Sequence, residues 1–285
     1  MKNLKRIASE IKSGQLADSD LQEKLWDFIC YSPKLPMRLH QDLLLAQASK
    51  HQLEVYDEFF SKQNLKVNFF KWGTGKTKIL LTHGWGSKAA DFHELITHLI
   101  TLGDFEIWSF DAPGNGSSEG RLSNLILYVE AINQFQLTVG MPDIMIGHSL
   151  GGMANIYNIN KLQKYPVVLI SIAPLVDLTA NFKSSMTSVN VAEIEQNKFL
   201  NQFEERYQKR TADFFLNDLY TYSENLNHLL IYEVNDEIAP VKDIIEFTKE
   251  FPQVVSSAFN DTSHTKIISD SRVIKQIMSF ISYHQ

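Results

Sequence analysis

The chain has 285 residues, 44% apolar and 21% charged, enough to bury a large core and near the upper limit for one domain. A formal charge of −6 argues against nucleic-acid binding, and a single cysteine, Cys30, excludes an internal disulfide and fits a reducing compartment. No apolar run follows the basic start Met1–Arg6, and none reaches the roughly 18 residues of a membrane span, so a cytoplasmic protein with no membrane span is expected.

In chain order, residues 1–62 carry apolar residues at helical spacing (Leu4, Ile7, Ile11, then Leu43, Leu44 and Ala46), broken at Ser32-Pro33 and Leu35-Pro36. This pattern predicts two or three helices in an N-terminal helical extension. From Val67 the pattern changes to short apolar strands, Val67–Trp72, Lys78–Thr82, Glu106–Phe110, Asp143–Ile146, Val167–Ile172, Leu229–Val234 and Val254–Phe259. Helical stretches lie between them: Ala89–Leu102, Ser123–Val139, Gly151–Leu162, Val241–Phe251 and Ser271–Tyr283. Alternation of this kind predicts an α/β fold, a mostly parallel, doubly wound sheet covered on both faces. The interval 175–227 has no strand signal and is rich in Phe, Tyr and Glu. An unstructured loop of that length is rare, so a helical cap inserted into a core of 63–174 and 228–285 is expected. The competing reading is extra helices packed on the sheet edge.

The most informative stretch is Gly147-His148-Ser149-Leu150-Gly151, between the apolar run Ile144–Ile146 and a helix-compatible segment. A serine on a tight strand-to-helix turn needs small neighbours, and the helix N-terminus behind it aims N–H groups at a reacting oxygen. Such a serine needs a base, and the base needs an orienting carboxylate. Of the nine histidines, His264 lies in a polar loop after the last strand, whereas His284 is the penultimate residue. Asp236 follows the strand Leu229–Val234, where open sheets bind ligands, with Glu237 and Asp177 as rivals. Donors for an oxyanion are expected from the N–H groups of Leu150 and Trp85, the latter in Thr82-His83-Gly84-Trp85-Gly86-Ser87. His83 reads as a brace of that loop.

Taken together, His83-Gly84-Trp85-Gly86, Asp111-Ala112-Pro113-Gly114-Asn115-Gly116-Ser117, the Ser149 stretch, Asp236 and His264 resemble the α/β-hydrolase superfamily in its usual order. The resemblance covers Val67 to the C-terminus and implies an eight-stranded sheet with a lid after the sixth strand. It also implies that the Asp111 loop is structural. Asn115 departs from the His, Tyr or Arg more common there. The Trp85/Leu150 pair is similar to the oxyanion pair of the carboxylesterase acting on pimeloyl carrier-protein methyl ester. The expected function is therefore a serine hydrolase of carboxylic esters, with thioesterase, lipase, peptidase and carbon–carbon bond hydrolase as alternatives on the same residues. A non-catalytic binding protein of the same fold is the reading from another class. The expected partner is a small acyl substrate with an apolar part, and no metal or cofactor is expected. The N-terminal helices could cover a sheet edge, join a homo-oligomer or extend the lid.

Two patterns lead nowhere. Gly73-Thr74-Gly75-Lys76-Thr77 lacks the first glycine of a phosphate loop, since Phe70 stands there and a strand follows. His93 and His98 are five apart, so their rings diverge around a helix instead of sharing a zinc ion.

Overall fold

The computed structural model describes Lys2–His284; Met1 and Gln285, the outer ends of the expected extension and core, lie outside the described residues. The chain opens with helices α1 (Lys2–Lys12), α2 (Asp18–Cys30) and α3 (Leu39–Ala46), then strands β1 (Ser49–Tyr56), β2 (Asn64–Trp72) and β3 (Thr77–Thr82). Next come α4 (His93–Leu102), β4 (Phe105–Phe110), α5 (Leu125–Val139), β5 (Ile144–His148), α6 (Leu150–Leu162) and β6 (Val168–Ile172). Helices α7 (Leu178–Ser188), α8 (Glu193–Tyr207) and the short α9 (Leu216–Leu219) follow. The chain closes with β7 (Asn227–Glu233), α10 (Val241–Glu250), β8 (Val255–Phe259) and α11 (Ser271–His284).

All eight strands form one sheet in the order β1-β2-β4-β3-β5-β6-β7-β8. β2 runs antiparallel to both β1 and β4, and every other pairing is parallel. Successive side chains of a strand point to opposite faces, so each central strand feeds two cores. Leu80, Met145, Leu169 and Leu230 pack with α1, α2 and α5–α10 on one face. Ile79, Leu81, Ile144, Ile146, Ile170 and Ile231 pack with α3, α4 and α11 on the other. This double burial is why the inner strands read as unbroken apolar runs.

The chain passes from β3 to β4 on one side, then crosses over so that β5 lies on the other side of β3. The crevice at the carboxyl ends of β3 and β5 is thus the topological switch point, where sheets of this type bind ligands.

One expectation fails. Ser49–Tyr56 lies within the stretch read as a helical extension but forms an antiparallel strand, in register from Ser49 opposite Lys71 to Tyr56 opposite Asn64. It is an edge strand whose only buried side chain is Val55, so it lacks the apolar alternation that marks a half-buried strand. Among the described residues, no helix is long and apolar enough to cross a membrane.

Candidate active site

β5 ends at His148 and α6 begins at Leu150, leaving Ser149 alone on the turn with φ 53° and ψ −122°. A non-glycine residue in such a conformation persists only when its surroundings over-determine it, at a cost of about 1–3 kcal/mol. Here the Ser149 N–H donates to the Ile172 carbonyl at 3.0 Å, and the Ser149 carbonyl accepts from the N–H of Leu175 at 3.2 Å. The flanking glycines answer to crowding. A Cβ on Gly151 would lie 2.2 Å from the Thr82 carbonyl oxygen, and one on Gly147 would lie 2.6 Å from that of Gly151.

The structure brings Ser149, His264 and Asp236 together. His264 Nε2 is 2.8 Å from Ser149 Oγ, and Nδ1 is 2.7 Å from Asp236 Oδ2. The other carboxylate oxygen of Asp236 accepts the N–H groups of Ile238 and Ala239 at 2.8 and 3.0 Å. Burial pushes the Asp236 pKa up, but the hydrogen bond with His264 and those two N–H groups outweigh it and hold the carboxyl below its ordinary value. Of the two rival acids, Asp177 is spent capping α7, where it accepts the Ala180 N–H at 2.9 Å. Glu237 is exposed beside Asp236.

The loop after β3 is pinned from behind. Ala112 N–H donates to His83 Nε2 at 3.0 Å, so the His83 proton sits on Nδ1 and is donated to the Gly84 carbonyl at 2.7 Å. Tyr128 Oη donates to the same carbonyl at 3.0 Å. A trans peptide holds its N–H opposite its C=O, so anchoring the Gly84 carbonyl aims the Trp85 N–H the other way. Among the described residues, neither the Trp85 nor the Leu150 amide donates a hydrogen bond to the chain.

Two participants escape sequence reasoning. His148, within the elbow itself, bonds through Nε2 to the His264 carbonyl at 2.7 Å and so braces the loop that carries His264. Burial, then the neighbouring charge of His264, pulls its pKa down to about 3, which keeps it neutral and Nε2–H a donor. Tyr128 is the second. Only helical spacing marks it in the sequence, and that signal reads simply as core. Asn115 is explained as well: it is hydrogen-bonded with Ser32 and donates to Ser123 Oγ at 3.1 Å, tying the chain after α2 to the loop. Asp111 accepts from Ala89 N–H at 2.8 Å and from Ser117 N–H at 2.7 Å, a loop-holding role.

Ser149 lies between two cavities. One, of about 300 Å³, is mainly apolar and bounded by Phe28, Leu125, Phe182, Phe203, Phe214 and their neighbours. The other, of about 690 Å³, is the more polar of the two and sets Arg38, Lys88, Asp91 and Glu94 beside Leu35 and Ile268. Trp85, Ser149 and Ile238 border both. Cys30 borders the apolar cavity, but burial pushes its thiol up to about 12, far from a reactive thiolate. His93 lines the polar cavity near Glu94, whereas His98 bonds through Nδ1 to the Glu94 carbonyl.

A family profile described as the alpha/beta hydrolase family matches residues 79–252, more than half of the chain, and the chain belongs to that family. Human monoglyceride lipase is 30% identical over 123 residues, 40% of this chain and 40% of that protein. The pimeloyl-[acyl-carrier protein] methyl ester esterase of Proteus mirabilis is 37% identical over 81 residues, 28% of this chain and 30% of that protein. The match thus spans well under half the length of these curated relatives. Among solved structures, an esterase of Pyrococcus furiosus superposes with a TM-score of 0.61 at 14% identity, covering 90% of this chain and 98% of that one. An esterase of Thermogutta terrifontis gives 0.58 at 15% identity, covering 82% and 100%. At these identities the likeness concerns the fold.

Proposed function

We propose that the protein is a serine hydrolase of carboxylic esters. The observation that carries this reading is the run of contacts from Asp236 through His264 to Ser149, at 2.7 and 2.8 Å, ending between an apolar and a polar cavity. Ser149 Oγ attacks the ester carbonyl carbon while His264 Nε2 takes its proton. Asp236 holds the imidazole tautomer and offsets the charge that develops on it. The carbonyl oxygen, now negative, is held by the free N–H groups of Trp85 and Leu150. Collapse of the tetrahedral intermediate breaks the bond to the alcohol, which leaves with the proton from His264. Water then repeats the sequence on the acyl-serine and releases the acid.

The apolar cavity suits the acyl group and the polar one suits the alcohol. Monoglyceride, the ester in the name of the matching lipases, likewise joins an apolar chain to a polar alcohol. In this reading residues 175–227 form a cap and the helices before β1 an extension, while β1 joins the sheet of the core. Replacing Ser149 by Ala is expected to lower kcat for p-nitrophenyl esters by about six orders of magnitude. Labelling by a fluorophosphonate is expected to disappear and the far-ultraviolet circular dichroism to stay unchanged. Undiminished turnover in that variant would overturn the reading.

A further inference from the structure

The family profile starts at residue 79, yet much of the wall around Ser149 is built by residues well before it. Leu4 of α1 and Phe28, Ile29 and Cys30 of α2 border the apolar cavity. Farther along the same segment, Leu35 to Arg38, His40 and Gln41 border the polar one. One continuous piece of chain thus passes over the turn at Ser149 and walls both cavities.

That wall is held at several points. Trp26 of α2 lies against Phe199 of α8 with ring centroids 4.7 Å apart and stacks on Phe203 at 6.3 Å, and its Nε1–H donates to Gln202 Oε1 at 3.1 Å. The Arg206 guanidinium sits 4.0 Å from the centre of the Trp26 ring. On the core side, the Cys30 carbonyl accepts the Ser123 N–H at 2.7 Å, and Tyr31 forms an isolated antiparallel bridge with Leu122. α1 is fixed in turn by its buried Ile7 and Ile11 and by an ion pair of Glu10 with Lys24 at 2.6 Å. Of the wall residues, Leu4, Phe28 and Ile29 remain half-buried, with apolar surface turned to the cavity.

We infer that Lys2–Gln41 is the substrate-selecting element of this site, with Leu4 and Phe28 setting the size of the acyl group that the apolar cavity accepts. The inference rests on the ester-hydrolase reading above and adds the segment that chooses the ester. A cavity closed by rigid side chains discriminates by size, because each methylene that fits gains apolar burial and each one that does not fit forces a clash. Shortening Phe28 opens the cavity toward longer acyl chains, and enlarging Leu4 closes it.

The test compares kcat/KM for p-nitrophenyl butyrate, octanoate and palmitate in the full chain, in Phe28→Ala and in Leu4→Trp. Phe28→Ala is expected to raise the palmitate-to-butyrate ratio about tenfold, and Leu4→Trp to lower it about tenfold. A purely structural role would scale all three esters together and leave the ratios unmoved, which would overturn the inference. Leu4 is only half-buried on α1, so Leu4→Trp serves even where Phe28→Ala disturbs folding. The same two changes are also made in Ser149→Ala, with displacement of a fluorescent anilinonaphthalene sulfonate by butyrate, octanoate and palmitate as the readout. Fatty-acid affinities that shift in the stated directions while no chain hydrolyses any ester would sustain the selecting wall and defeat the hydrolase reading. Affinities that do not shift would defeat the selecting wall, whatever the turnover.

Discussion

At the scale of single residues, the site depends on hydrogen bonds to backbone carbonyls that no side-chain pattern announces. The Gly84 carbonyl takes two donors, His83 Nδ1 and Tyr128 Oη, and through the planar peptide they aim the Trp85 N–H. Replacing Tyr128 by Phe removes one of them from a fully buried place while leaving the ring packing intact. If Trp85 serves as an oxyanion donor, the loss falls on the transition state more than on the bound ester. A fall in kcat of about fivefold with little change in KM is then expected, from the net worth of one hydrogen bond. Steady-state kinetics on p-nitrophenyl octanoate measure it, and a rise in KM at constant kcat would show that Tyr128 shapes binding instead. The meeting of Ser149, His264 and Asp236 was legible because elbow geometry and strand ends leave marks in local sequence. His148 and Tyr128 were not, because their partners lie 116 and 44 residues away and are main-chain oxygens.

At the scale of elements, the central strands and the helices between them were legible because burial on both faces leaves unbroken apolar runs. β1 was not, since its polar face and its edge position erase that signal. The place of the N-terminal helices was equally hidden. Trp26 explains their attachment: it joins α2 to α8 across 173 or more residues of chain, and nothing local in either helix encodes the pairing. Trp26 is 6% exposed and ringed by Phe60, Phe199, Phe203 and Tyr207. Truncating it to Ala empties that ring and is expected to cost about 3–5 kcal/mol of unfolding free energy. Urea denaturation monitored by circular dichroism checks this. A loss below about 1 kcal/mol would mean that α2 is held chiefly by the Cys30, Tyr31 and Ser32 contacts to the core.

At the scale of the whole molecule, the parallel sheet carries three buried histidines at or near its strand ends: His83 after β3, His148 closing β5 and His228 in β7. Each is kept neutral by burial. His228 is packed with Ser171 Oγ at 3.0 Å, Tyr220 Oη at 3.2 Å and the Phe247 ring, and its pKa falls to about 3. Burial, then the charge of His264, draws His148 down to about 3 as well, and burial lowers His83 against the opposing pull of Asp111. In the unfolded chain these rings bind a proton near the ordinary 6.5. The native state therefore holds fewer protons than the unfolded state below that point. Stability is full above 6.5 and is lost as pH falls from there toward about 3. Asp236, whose carboxyl is held low, adds a further loss within the carboxylate range as pH drops through its folded pKa. The expected outcome is an unfolding free energy that declines from just below neutrality, earlier than paired carboxylates alone would cause. Replacing His228 by Gln, well away from Ser149, removes one of the three sites. The slope of unfolding free energy against pH between about 6 and about 4 should then become shallower by about one proton. Urea midpoints across that range measure it, and a His228→Gln slope equal to that of the natural chain would show that the buried imidazole is not a source of the acid sensitivity.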